Sequence, residues 1–408
     1  MSSAHLPPYI ENAPASEPEI AEGVERDEIE ARSRRRLVTQ WGERPSAPTE
    51  TGTACGVVGV QAQQTHYSAG FGLLMPTPMG TAVTLRRAEK QRIVFAPDGR
   101  AWTEPGDAAP AWVQVARRTL RMVCEDAALE ASVASSVRPG CQDGYWASLV
   151  VALLRAVQSL GVPTVVDSEQ VDVRDALVPR LTTAVAQATG QPYGAAYLLA
   201  TFAGGDPAFT LVDTETREYL PVRTEGRSAL QWALIDPVGG GGSEGAGAPA
   251  SVHRRRKDQA EAALARLRRE GFPDLVSFRN LEHRDLDRAT RAVPSALRPV
   301  VRHLVTENRR VQKHVAALRR SDWQMVGALL LMSHASLRDD WGATTSPANT
   351  LVEAVETRTQ HGIYGACMAE RSGAVLVVSR PRAFAQGVHT LRETVARRHD
   401  ASPAVLPL

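Results

Sequence analysis

Few residues in this chain stand at spacings that do chemistry unaided. His303 and Glu307 lie four apart, so on a helix they share a face and could hold a metal between them. No third ligand presents itself, so metal ligation is not expected. Structural hydrogen bonds or surface pairs are the plain reading for both, and for His334 and Asp339. The four cysteines, Cys55, Cys124, Cys141 and Cys367, show no C-x-x-C spacing. That speaks against a zinc site or a disulfide framework and for a reducing cytoplasm. The glycine run at 239–242 lacks the lysine and helix start of a phosphate-binding loop. Basic runs at 32–36 and 254–257 have no interleaved aromatics, so they read as solvated helix faces and not as nucleic-acid sites.

The elements that must position any site alternate. Helical patterns cover 27–41, 112–120, 147–160, 255–268, 299–319 and 322–337. β-rich runs cover 55–60, 81–85, 91–96, 208–212, 219–222 and 374–378, and 45–53 reads as a loop. The fold class expected is α+β. At 408 residues, 43% apolar and 23% charged, the chain has the composition of an ordinary soluble globular protein, long enough for more than one domain. A net charge of +2 gives no reason to invoke nucleic acid or an acidic membrane. Residues 1–26 are polar and acidic, unlike a signal peptide, and read as a disordered leader. The longest apolar run, 326–332, is too short to span a bilayer, so the expected location is cytoplasmic. The expected division is a leader at 1–26, an N-terminal lobe at 27–238, a Gly-rich linker or loop at 239–250 and a helical C-terminal lobe at 251–408.

Longer strings then add a resemblance. His303-Leu304-Val305-Thr306-Glu307-Asn308-Arg309-Arg310-Val311 is similar to H-V-V-x-E-N-x-R-V of galactokinases. Ser333-His334-Ala335-Ser336-Leu337-Arg338-Asp339-Asp340-Trp341 resembles their S-H-x-S-L-R-D-[DL]-[YF]. Ser346-Pro347 and Gly362-Ile363-Tyr364-Gly365-Ala366-Cys367-Met368 follow in the family's order, and Asp213 after Phe209-Thr210-Leu211-Val212 fits its L-L-x-D-C-R strand. Thr65-His66-Tyr67-Ser68-Ala69-Gly70-Phe71 echoes G-E-H-T-D-Y-N-G-G-F. The chain thus resembles the galactokinase branch of the GHMP small-molecule kinases. The resemblance implies a two-lobed GHMP-kinase-like fold with the active site in a cleft between the N- and C-terminal lobes.

That resemblance also implies four pieces of machinery, each rewritten here. The family's phosphate cradle, P-x-G-x-G-L-S-S-S-A, aligns with 137–149, so its three serines become Gly144, Tyr145 and Trp146, with Asp143 just before them. Asp143 would repel phosphate, or simply cap the helix while the rings pack in the core. The family's catalytic aspartate aligns with Tyr197, a phenol whose ordinary pKa near 10 makes it a poor base. Its charge-stabilising arginine aligns with Val57. The sugar-holding Glu, His and Asp align with Gln63, Gln64 and His66, and a further sugar-contacting tyrosine with Val252 or His253. The late glycine loop is shortened to 369–374. Losing a base costs about 10²–10⁴ in rate and a charge stabiliser about 10²–10³ more.

The expectation is therefore a pseudokinase. It has lost ATP-dependent sugar phosphorylation, needs no cofactor, and binds a small molecule in the interlobe cleft as a regulatory or scaffold protein, with a protein partner possible. The cleft lining would be Gln63, Gln64, His66, Tyr67, Asp143, Tyr145, Trp146 and Tyr197, neutral and aromatic groups suited to a small ligand. One alternative is a repurposed enzyme of specialised metabolism, with His66 as acid or base and Tyr197 as hydrogen-bond donor. The other is a divergent ATP- and Mg-dependent sugar kinase.

Overall fold

The computed structural model describes residues 26–61, 64–65, 68–89, 92–95, 101–102, 109–124, 128–137, 142–162, 173–204, 209–224, 229–239, 250–369 and 371–408. The leader at 1–25 and the Gly-rich stretch at 240–249 lie outside them. The described residues fall into two compact units. One takes its residues from Glu22–Val57 and Pro76–Gly205, the other from Val58–Met75 and Asp206–Leu408. Residues 209–236, placed in the N-terminal lobe by the sequence, thus pack with the C-terminal half.

The first unit contains α1 (Arg26–Trp41), most of β1 (Thr49–Gln61), the later part of β2 (Phe71–Arg87), β3 (Arg92–Phe95), β4 (Ala101–Trp102), α2 (Ala111–Val123), β5 (Leu129–Ser135), α3 (Gln142–Ser159), α4 (Val173–Thr189) and α5 (Ala195–Ala203). In α1, Ile29, Ser33 and Leu37 recur every four residues and are buried, while Glu28–Arg32 and Glu30–Arg34 pair on the outer face. Ser33 ties the helix to the sheet through Ser132 O at 2.8 Å. Strand order runs β4, β3, β5, β2, with Thr81–Arg87 antiparallel to β5. Arg86 and Glu130, directly opposite in that register, form a buried ion pair at 2.7 Å, and Arg86 also donates to Gly42 O at 2.7 Å. Each charge is met, as burial requires.

The expected loop at 45–53 is corrected: β1 begins at Thr49. Pro45, Pro48 and Gly52 read as turn residues, but Gly52 serves helix packing. A Cβ there would lie 2.2 Å from Ala152 O of α3. The strand is held by a hydroxyl pair, Thr51 with Thr84 at 3.0 Å.

The second unit begins its sheet with Phe71–Leu74 of β2 paired to β6 (Phe209–Asp213), which pairs with β7 (Glu218–Val222). Beyond these come β8 (Gln231–Asp236), α6 (Ala250–Arg269), α7 (Leu286–Ala292), α8 (Arg298–Arg319), α9 (Trp323–Ser336), α10 (Ser346–Glu356), β9 (Ile363–Met368), β10 (Val375–Ser379), α11 (Pro381–His399) and β11 (Ala404–Pro407). A four-stranded antiparallel sheet has the order β11, β8, β10, β9. Ala233, Ile235, Ala366, Met368, Val375 and Val377 alternate along three of its strands and join one core with Val300, Leu304, Leu351 and Leu391 from the helices. Asp322 caps α9 by accepting from Met325 N–H, and a π turn at Leu337–Trp341 follows that helix.

Candidate functional site

The head of α3 gathers the first group of sequence candidates. Asp143 lies in the first turn and is 7% exposed. Tyr145 and Trp146 follow, both buried, their rings edge to face with centroids 4.9 Å apart. The Tyr145 hydroxyl has no hydrogen-bond partner among the described residues, and burial pushes its pKa well above the ordinary value. Gly144 has a structural cause. A Cβ at this position would lie 2.1 Å from Val57 O, so the helix head touches the β1 backbone and no larger residue fits unchanged. Val57, the position aligned with the charge-stabilising arginine, thus abuts Gly144, a position aligned with a cradle serine. Cys141 and most of the cradle loop lie outside the described residues.

α3 packs against α5, whose start at Gly194–Ala195 brings Tyr193 beside α3. The Tyr193 hydroxyl donates to the backbone carbonyl of Asp143 at 2.9 Å. This tether joins residues fifty apart and was not foreseen; the aromatic before Gly194 was its only sequence signal. Tyr197, on α5, is 2% exposed.

In the second unit, Gln64 sits at a positive φ of 65°, and its Oε1 meets His253 Nδ1 at 3.2 Å. The structure thus joins two positions that the resemblance assigns to sugar contacts. His253 is fully buried. Burial first, and the Arg371 guanidinium second, pull its pKa down to about 3, so the ring is neutral at pH 7. If Nδ1 donates to Gln64, Nε2 is a bare acceptor, and it has no partner among the described residues. Arg371 went unnoticed because it falls in the loop read as merely shortened. Gln63, His66 and Tyr67 lie outside the described residues. The nearby backbone is fixed from α8: Asn308 Oδ1 accepts from Phe71 N–H at 2.9 Å, and Gly70 leaves room for that side chain. Arg279 stacks 4.2 Å over the Phe71 ring and pairs with Asp213.

Glu307, read from the sequence as a structural hydrogen-bonding residue, is the centre of a buried polar array. Its Oε1 accepts from Gln61 Nε2 at 2.7 Å and from the Ser333 hydroxyl, and its Oε2 accepts from Arg310 Nε at 2.8 Å. Burial alone would raise this carboxyl; Arg310, His303 and the two hydrogen bonds hold it below the ordinary value. His314 Nδ1 meets Gln61 Oε1 at 2.7 Å, and burial lowers its pKa to about 3. His334 accepts from Met368 N–H at Nδ1, so its proton is on Nε2, facing Asn349 Oδ1 at 3.0 Å. His303 meets Ser336 instead, at 3.0 Å. Among the described residues no cluster could hold a metal ion, and no helix is long and apolar enough to cross a membrane.

No family model matches the chain. Curated proteins do. The galactokinase of Thermotoga maritima is 33% identical over 150 residues, which is 36% of this chain and 39% of that protein. The chain therefore matches only about two fifths of that relative's length. The galactokinase of Pasteurella multocida is 26% identical over 350 residues, covering 79% of this chain and 84% of that one. Among solved structures, Lactococcus lactis galactokinase complexed with galactose superimposes with a TM-score of 0.75 at 19% identity, covering 92% of this chain and 96% of that one. By these matches the chain is similar to galactokinases, and its fold is that of a solved galactokinase.

Proposed function

We propose that this galactokinase-like protein binds a small hydroxylated molecule without phosphorylating it, and acts as a regulatory or scaffold pseudokinase. The observation that carries the reading is the head of α3. A triphosphate cradle uses free N–H groups, small hydroxyl residues and cations. The described residues there supply a buried carboxylate, two buried rings and a glycine sealed by the Val57 carbonyl. They do not fit a nucleoside triphosphate with Mg²⁺. At the position aligned with the catalytic base, a buried phenol replaces the carboxylate.

Support for a retained ligand comes from the second unit. A buried acceptor without a partner costs about 1–3 kcal/mol, and His253 Nε2 is one. A hydroxyl group donated by a ligand would satisfy it, and the neutral ring would accept that proton's hydrogen bond without taking the proton. Galactose is the first molecule to try, since the Lactococcus lactis galactokinase structure with a similar fold holds it.

The test is turnover against binding. Galactose should bind with measurable heat, while ADP release from ATP and galactose stays at the no-protein rate. His253→Phe should abolish the heat. Galactose-dependent ADP release by the purified protein would overturn the reading in favour of a divergent kinase.

A further inference from the structure

Thr53, on β1, is gripped by two guanidinium groups at once. Arg26, the first residue of α1, donates Nε to its hydroxyl at 2.8 Å. Arg155, in the C-terminal half of α3, donates Nη1 to its carbonyl at 2.7 Å. Both arginines line a cavity of about 400 Å³ whose remaining wall is largely apolar, with Ile29, Ala54, Pro78 and Met79. Among the described residues neither guanidinium meets a carboxylate, in contrast to Arg86, which is paired with Glu130.

Two like charges facing one cavity repel. Burial lowers the Arg155 pKa first; the neighbouring Cys55 offsets part of that, and Arg26 lowers it again. Arg155 commits only Nη1, so its remaining N–H donors keep the planar fork that matches carboxylate or phosphate oxygens. The cavity lies at the small end of the range for organic ligands. It is also remote from the head of α3: Arg155 stands twelve residues beyond Asp143, about 18 Å along the helix.

We propose that this cavity is a binding site for a small organic anion, a carboxylate or phosphate monoester with an apolar body. The oxyanion would sit between Arg26 and Arg155, relieving their repulsion, and the body would lie against Ile29, Pro78 and Met79. The site stands whether or not the protein phosphorylates a sugar. Cys55 also lines the cavity, and its thiol, slowed by the burial that raises its pKa, provides a built-in reporter.

The experiment is calorimetric titration of the full chain with phenyl phosphate and with phenylacetate, at constant ionic strength, with benzyl alcohol as the neutral control. Both anions should bind and the alcohol should not. Arg26→Gln and Arg155→Gln should each weaken binding about tenfold, and Arg155→Lys by less, because a charge survives there without the fork. Bound phenyl phosphate should slow iodoacetamide alkylation of Cys55. Arg155→Gln also frees the Thr53 carbonyl, so its folding is checked by urea unfolding; Arg26 is exposed, and its variant reads the site without that complication. No binding of either anion at millimolar concentration would overturn the proposal. So would equal binding to wild type and Arg26→Gln.

Discussion

In the middle of α8, the Glu307 carboxylate is completely buried, and donors from Gln61, Ser333 and Arg310 meet it. At the head of α3, the Tyr145 hydroxyl is as deeply buried and meets no partner among the described residues. Both regions take polar groups out of water; the Glu307 carboxylate meets donors on both oxygens, whereas the Tyr145 hydroxyl meets none among the described residues. A carboxylate whose oxygens are spoken for has no capacity left for a substrate, so the α8 array is architecture. These are also the positions where the sequence resembles galactokinases most closely. The head of α3 is where it departs from them, and there the packing is aromatic and close. The strings that resemble galactokinases therefore fall on residues that hold the second unit together.

Acid should strike the second unit first. His253, His314 and His334 have folded-state values of about 3, 3 and 4, below the ordinary 6.5, mainly because of burial. Between about pH 6.5 and 4 the unfolded chain then binds more protons than the folded one, so stability falls as pH falls. By pH 5 each histidine costs roughly 2 kcal/mol. The urea midpoint should drop sharply from pH 7 to pH 5; an unchanged midpoint would show that these rings titrate normally.

Glu307→Gln tests whether the array is structural. It leaves Arg310 buried without its counter-charge and should cost about 3–5 kcal/mol in urea unfolding. A loss under about 1 kcal/mol, the ordinary worth of a surface pair, would break the contrast between the two regions.

Smaller effects sharpen the other side. Gly144→Ser restores the residue type of the family cradle, yet should destabilise by about 1–3 kcal/mol, because its Cβ meets the Val57 carbonyl. Tyr145→Phe removes an unpaired buried hydroxyl and should be neutral or stabilising by up to about 1 kcal/mol. A marked loss with Tyr145→Phe would mean that the hydroxyl has a partner after all.

The strings at 303–311 and 333–341 made the fold legible, because several long motifs in one order constrain a backbone strongly. The continuous apolar run at 374–378 and helical spacing at 299–319 did the same locally. The start of β1 was illegible because Gly52 and its neighbouring prolines look like a turn, whereas Gly52 answers to a helix a hundred residues later. The head of α3 was legible as a list of residues, but not as a packed arrangement: the Tyr193 tether and the Val57–Gly144 contact exist only in three dimensions. A structural hydrogen-bonding role for Glu307 was legible because its spacing from His303 offered no third metal ligand, but its partners Gln61, Arg310 and Ser333 were not.

The central claim is that the head of α3 no longer receives a nucleotide, and thermal unfolding with rising Mg–ATP tests it most directly. A kinase at a hundredfold excess of nucleotide over Kd would gain about 2.7 kcal/mol. The assay is run on wild type and on Arg26→Gln, so that an anion held beside Thr53 is not mistaken for a bound nucleotide. The account predicts no shift in Arg26→Gln at millimolar Mg–ATP. A clear, concentration-dependent rise in melting temperature in that variant would contradict it.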